Sequence, residues 1–338
     1  MRRVKFGIVG LGRLGIQHAE NIALRIPETE LVAACGLDEV ILEKVKKEWG
    51  VKDTYKDYDE MLENEELEAI FICSPSGLHC EQIEKALKKG LHVFSEKPLG
   101  TTVEECKRAE QALETYGKDL VFMLGFMRRF DPSYQYAKKM IEEGKIGTPF
   151  LFRGYSQDPE SCIDGAIAYA GHSGGTFIDM SVHDIDLARW FLDSEPKQVW
   201  AIGGCYKHRE FGQYQDGDNV SALMKFENDA MGYFFAGRTA PHGYNVETEI
   251  IGTEGILRIA NVPQKNLVEI LDTHGVRKEC SQDFLERFKE AYVNEVREFV
   301  KCIIEHRKPE LTVYDGTETT KIAYACKESF ETGKLVEI

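Results

Sequence analysis

No apolar run in this chain approaches the roughly 20 residues that a membrane-spanning helix needs. Cysteine pairs are missing too: the nine cysteines are scattered, with no C-x-x-C among them. An odd count without regular spacing argues against a disulfide framework and for a reducing compartment. Cys35 and Cys73 fall in apolar strand patterns, where a thiol acts as a small hydrophobe. Basic charge is in deficit, with 42 Lys and Arg against 57 Asp and Glu, a net charge of −15. That balance argues against nonspecific binding to nucleic acid or to an anionic membrane, and is read as a means of staying in solution. Internal repeats, low-complexity tracts and long linkers are absent as well. Met1-Arg2-Arg3-Val4 runs straight into the first predicted strand, with no room for a signal peptide ahead of it, so the expected location is the cytoplasm.

What remains is a globular composition, 43% hydrophobic and 29% charged, over 338 residues. That length exceeds what one core usually serves, so two domains are expected. The most informative segment is Gly10-Leu11-Gly12-Arg13-Leu14-Gly15. It follows the apolar run 4–9 and opens a helical pattern over 14–24, the strand, turn and helix that a dinucleotide fingerprint requires. Gly10 allows the tight turn, Gly12 a close approach of a pyrophosphate, and Gly15 close packing of helix on strand. The helix N-terminus then offers its N–H groups to the phosphates.

Strand patterns at 4–9, 31–35, 69–73, 91–95 and 120–124 alternate with helical ones at 14–24, 40–49, 78–89 and 103–116. Near-continuous apolar strands of this kind predict a doubly wound parallel sheet. Past residue 125 the pattern changes. A helix over 132–143 and a strand over 150–155 precede an irregular stretch, 156–175, and a helix over 176–192. Strands are then predicted at 199–203, 220–226, 230–236, 245–251, 255–259 and 267–271, several joined as hairpins, followed by helices at 284–305 and 316–332. The expected architecture is α/β: a Rossmann domain over 1–124, and over 125–338 an α+β domain on a large, mostly antiparallel open sheet. The last helix is a candidate to pack back on the first domain, and the ligand cleft is expected between the domains.

Four segments together resemble the Gfo/Idh/MocA oxidoreductases, and among them the inositol 2-dehydrogenases. They are the turn 10–15; Ser74-Pro75-Ser76-Gly77-Leu78-His79; Ser95-Glu96-Lys97-Pro98-Leu99; and 174–184, which holds Asp179-Met180-Ser181-Val182-His183. The Glu-Lys-Pro step and the Asp-x-x-x-His helix are the specific ones, and the likeness runs through 125–131 to the closing helix. The resemblance implies a nicotinamide cofactor held by Gly10, Leu11, Gly12, Arg13, Leu14, Gly15, Asp38, Ser74, Pro75, His79, Glu96 and Lys97. It implies Lys97, Asp179 and His183 as catalytic residues, Lys97 being oriented by Glu96 and by Pro98, a candidate for a cis bond. It also implies a dimer or homotetramer built on the open sheet.

The chemistry fits these residue types. Removing hydride from a secondary alcohol requires a base for the hydroxyl proton, and imidazole suits that task. Asp179 and His183 are four apart in a predicted helix and share a face. The carboxylate either holds the imidazole tautomer or contacts the substrate. Lys97 at a strand's carboxyl end, beside an oxidised nicotinamide, can share the proton. A polyol needs many hydrogen-bonding partners. Arg128, Asp158 and Tyr244 are the favoured pocket residues, with Lys97, Asp179 and His183. Arg129, Gln157, Asn245 and His172 are weaker candidates. Asp186 is a second carboxylate near His183; a metal on Asp179, His183 and Asp186 is the weaker idea, and none is expected. His79 is either a cofactor-loop residue or a capping and packing one.

One position departs from the pattern. NAD-dependent members end the second strand in Asp, and here Gly36 stands in its place, with Asp38 two residues on. Gly36 leaves space for a 2′-phosphate that Arg13 could pair with, but Asp38 and Glu39 would repel one. The expectation is NAD, with NADP or dual use as the alternative. The reading is an NAD(P)-dependent dehydrogenase oxidising myo- or scyllo-inositol to the 2-keto product. The alternatives are an NAD-dependent glycoside hydrolase, another sugar dehydrogenase or reductase, and a non-catalytic cofactor-binding regulator; the acid/base set argues against the last.

Overall fold

The computed structural model describes residues 2–260 and 263–338. In chain order the first elements are β1 (Val4–Val9), α1 (Arg13–Glu20), β2 (Thr29–Cys35), α2 (Glu39–Trp49), β3 (Asp53–Tyr55), α3 (Tyr58–Leu62), β4 (Ala69–Ile72), α4 (His79–Lys88), β5 (His92–Glu96), α5 (Val103–Tyr116) and β6 (Phe122–Gly125). The six strands form one parallel sheet in the order β3-β2-β1-β4-β5-β6. The doubly wound expectation holds. The sequence reading missed β3 and α3, short elements at the sheet's edge. It also ran the first helix too far: α1 ends at Glu20 and a wide π-helical turn, Asn21–Arg25, follows.

The next elements are α6 (Pro132–Glu142), β7 (Pro149–Pro159), α7 (Ile163–Tyr169), α8 (Val182–Leu192), β8 (Pro196–Gly204), β9 (Asn219–Phe226), β10 (Met231–Ala240), β11 (Asn245–Gly252), β12 (Ile256–Ile259), β13 (Gln264–Asp272), β14 (Gly275–Cys280) and α9 (Phe284–Arg287). Then come α10 (Lys289–Ile304), α11 (Val313–Thr332) and β15 (Val336–Glu337). A seven-stranded sheet runs β12-β11-β7-β10-β9-β8-β15, and β13 and β14 make a separate hairpin. All pairs in the large sheet are antiparallel except β7 with β10. Residues 156–159 are strand, not irregular chain, because β7 is clamped on both sides: Gln157 pairs with Gly237 of β10 and with Asn245 of β11. Its polar sequence hid that pairing.

The chain divides into two compact units. One comprises residues 1–130 and 290–320, the other 131–289 and 321–338. In the first, α10 covers the parallel sheet: Phe299 packs against Phe6 and Phe94, with ring centroids 6.0 and 5.7 Å away, and Phe94 stacks on Phe71 at 4.0 Å. Each such ring, removed from water, contributes roughly 2–3 kcal/mol. In the second unit, α8 lies on the large sheet, with Phe191 6.2 Å from Phe152 of β7. All nine cysteines are free thiols, and burial pushes that of Cys35 up to about 11. No helix among the described residues is long and apolar enough to cross a membrane.

Candidate active site

In the first unit, parallel pairing lines up the carboxyl ends of β1, β4 and β5: Val9 faces Ile72, and Ile72 faces Ser95. The strand order reverses between β1 and β4, the switch point where ligands of such sheets bind. The glycine turn, the Ser74 loop and the Glu96-Lys97-Pro98 step leave these three ends. Gly10 has φ +89°, and a Cβ there would stand 2.4 Å from the Cys73 carbonyl oxygen. At Gly15 a Cβ would lie 1.8 Å from the Gly10 carbonyl oxygen. Gly12 differs. It caps α1 with no side-chain hydrogen bond, and a Cβ there would meet nothing within 4 Å. No packing demands glycine at 12, whereas a phosphate seated on the α1 N–H groups does. Gly12→Ala should therefore leave the melting temperature within about 1 °C while raising the NAD dissociation constant roughly tenfold or more. Thermal unfolding and a binding titration read the two separately.

Lys97 is half-buried, and its bond to Pro98 is cis, as the motif implied. Glu96 is 5% exposed, and its Oε2 accepts the Lys97 backbone N–H at 3.2 Å. His79 is buried: Nδ1 lies 2.8 Å from the Pro98 carbonyl oxygen and Nε2 2.8 Å from that of Ser74. A neutral ring can donate to only one carbonyl, and burial lowers the His79 pKa despite both contacts. His79 thus ties the Ser74 loop to the Lys97 loop. The Ser74 hydroxyl bonds Gln82 Oε1 at 2.5 Å, and Pro75 precedes a short 3₁₀ turn, Ser76–Leu78. Asp38 caps α2, its Oδ1 accepting from Val40 N–H at 2.8 Å. At Gly36 a Cβ would press on Leu11, 3.2 Å from Cδ1. Arg128 and Arg129 are buried in a 3₁₀ turn, and Arg129 pairs with Asp315 at 3.1 Å.

In the second unit, the helix expected over 176–192 has two parts. A π-helical turn, Phe177–Ser181, leads into α8, so the step from Asp179 to His183 crosses a change of helical pitch. π-Turns of this kind are frequent at functional sites. Its start is pinned by Asp216, whose Oδ2 accepts from Thr176 N–H and Oγ1 at 2.9 and 3.0 Å. All 11 residues of α8 are buried, although four are ionisable. Asp184 accepts from the Ser156 hydroxyl at 2.6 Å, and Arg189 makes a bidentate pair with Glu195 at 2.6 and 2.7 Å. His183 and Asp186 are 7% and 1% exposed.

The sequence reading missed Arg238. This β10 residue is 4% exposed and joins two of the predicted carboxylates, lying 2.7 Å from Asp179 Oδ2 and 3.4 Å from Asp158 Oδ2. Burial alone lowers a guanidinium pKa; Asp179 and Asp158 reverse this and raise that of Arg238. A clue was present, because Arg238 shares the inward parity of Phe234 and Ala236 on β10. A cation at such a position needs an acidic partner. Tyr244 is buried with its ring edge-on to Phe284 and Phe288, Asn245 donates to Glu247 at 3.1 Å, and His172 is exposed. Among the described residues, Asp179, His183 and Asp186 do not converge as the ligands of a metal ion would.

A glycine turn at the switch point of a parallel sheet is the arrangement of a dinucleotide-binding domain. Residues 4–125 match the model of the oxidoreductase family with an NAD-binding Rossmann fold, and residues 134–258 that of the GFO/IDH/MocA C-terminal domain. The chain belongs to the GFO/IDH/MocA oxidoreductase family. It is 35% identical to the scyllo-inositol 2-dehydrogenase (NAD(+)) of Bacillus subtilis, over 99% of this chain and 96% of that one. The Lactobacillus casei scyllo-inositol dehydrogenase, solved with bound NAD(H) and scyllo-inositol, is 45% identical at a TM-score of 0.95, covering 99% of both chains. The Lactobacillus plantarum myo-inositol 2-dehydrogenase is 39% identical at a TM-score of 0.97, with each chain wholly covered.

Proposed function

We propose that this protein is an NAD-dependent dehydrogenase that oxidises one secondary hydroxyl of an inositol, myo or scyllo, to the ketone. The observation that carries the reading is the Asp179–Arg238–Asp158 cluster, with His183 four residues after Asp179. It presents two carboxylates, a guanidinium and an imidazole, the donors and acceptors a polyol demands, on a chain whose likeness to inositol dehydrogenases runs end to end. When bound, the nicotinamide supplies the acceptor for the hydride that leaves the carbinol carbon. The His183 imidazole accepts the hydroxyl proton, and Lys97 Nζ shares it. Asp179, held by Arg238, orients either His183 or a neighbouring substrate hydroxyl. Arg128, Asp158 and Tyr244 complete the substrate contacts.

The glycine turn, the Ser74 loop, Asp38 and Glu96 hold the cofactor, and the turn fits it: the space at Gly12 is what a phosphate would fill. Asp38 Oδ1 is engaged in capping, which leaves Oδ2 for the ribose. We assign cofactor binding to the first unit, and substrate binding and self-association to the second. Trp200, Ile202 and Leu223 on the large sheet are 39%, 50% and 52% exposed, an apolar face suited to a dimer or tetramer. Nine free thiols suit the cytoplasm.

His183→Ala tests the base. Turnover should fall by about 10²- to 10⁴-fold, with NADH binding preserved. Near-normal turnover would remove His183 from the mechanism.

A further inference from the structure

His18, Glu96 and Glu295 meet in the interior of the first unit, brought there by α1, β5 and α10. They are 0%, 5% and 0% exposed, and their ligand-type atoms all lie within 4.8 Å of one another. His18 Nε2 is 2.8 Å from Glu96 Oε1 and 3.7 Å from Glu295 Oε1. The surroundings are aromatic: the rings of Phe71 and Tyr292 lie 4.5 and 5.4 Å from that of His18. Gly125 makes room, since a Cβ there would stand 3.0 Å from the Glu96 carboxyl carbon.

The two carboxyl groups are not equivalent. Glu96 has the donors that an ionised carboxylate needs, the His18 ring and the Lys97 backbone N–H. Neither oxygen of Glu295 has a hydrogen-bond partner among the described residues. Two buried carboxylates this close do not both ionise cheaply. Burial, and after it the charge of Glu96, push the Glu295 carboxyl well above the usual carboxylate range. The other titratable groups at this pocket are His18 from α1, Cys73 after β4 and Tyr292 on α10. Burial, and after it the charge of Glu96, raise the Cys73 thiol, so it stays neutral.

We propose that Glu295 is the neutral, proton-holding member of this triad, leaving Glu96 as its one carboxylate, and that His18 thereby acts as a positioning residue for Lys97. His18 fixes Glu96, Glu96 holds the Lys97 N–H, and the lysine side chain starts from that anchored residue. This rests on the role proposed above for Lys97.

Glu295→Gln replaces a neutral carboxyl with a neutral amide. In the wild type, the unfolded chain ionises Glu295 above roughly pH 4.3, whereas the folded chain keeps it protonated to higher pH. The folded state then binds more protons, so stability falls as pH rises through that window. The Gln variant lacks this loss. Its melting temperature relative to wild type should rise by a few °C between about pH 5.5 and about pH 8.5. A difference that stays flat or falls with pH would put the charge on Glu295 and overturn the proposal. So would a stoichiometric divalent metal found by elemental analysis of the purified protein.

For the positioning role, His18→Gln should lower kcat roughly tenfold or more while NADH affinity, read by fluorescence, changes less than about twofold. His18→Asn serves if that variant does not fold. Unchanged kcat beside an inactive Lys97→Met would remove the positioning role and leave the role of Lys97 intact. Full turnover by Lys97→Met would instead remove the reading beneath it.

Discussion

Replacing Lys97 by methionine should lower turnover by roughly 10³-fold or more while leaving cofactor affinity close to wild type. Methionine keeps the length and the apolar stem of lysine and removes only the ammonium group. The backbone anchor survives, because Glu96 Oε2 holds the residue through its main-chain N–H. The loss therefore falls on the proton-sharing step and not on the loop. Steady-state kcat and an NADH fluorescence titration separate the two effects. A variant that turns over near the wild-type rate would take Lys97 out of the chemistry.

Arg238→Met should be nearly as damaging, for a different reason. It removes the guanidinium that bridges the Asp158 and Asp179 carboxylates. Their side chains are 31% and 26% exposed, so water screens part of the repulsion. The expected loss of stability is roughly 3 kcal/mol, the low end of the range for breaking a buried pair. The expected loss of kcat/KM is about 10²-fold, since Asp179 is no longer held. Arg238→Lys keeps the charge but not the fork that spans both carboxylates, and should recover stability more than activity. Equal recovery of both, or wild-type kinetics in Arg238→Met, would make Arg238 a purely structural cation.

The doubly wound half was legible because its strands are apolar on both faces and its turns carry glycine at fixed places. Once β1, β4 and β5 are recognised as parallel neighbours, the three motifs at their ends must cluster. The second unit was harder to read. Tyr155-Ser156-Gln157-Asp158 has no apolar alternation, and it is strand only because β10 and β11 pair with it from either side. The turn at Phe177–Ser181 has an ordinary helical sequence; its wider pitch is visible only in the backbone. Arg238 lies 80 residues from Asp158 and 59 from Asp179, a separation that no local pattern reports. The same holds for Glu295, whose partners His18 and Glu96 lie far back in the chain. Its helix, α10, joins the first unit through ring contacts that the residue order does not announce.

The most direct test of the account is absorbance at the reduced-nicotinamide band. The purified protein would be mixed with NAD or NADP and, in turn, myo-inositol, scyllo-inositol, glucose, xylose and galactose. The account predicts that NAD is reduced with an inositol faster than with any of the sugars, and that NADP responds less despite Gly36. Reduction with NADP alone would contradict the cofactor assignment. No reduction with any pair, together with glycoside cleavage that needs NAD but yields no net NADH, would contradict the dehydrogenase itself.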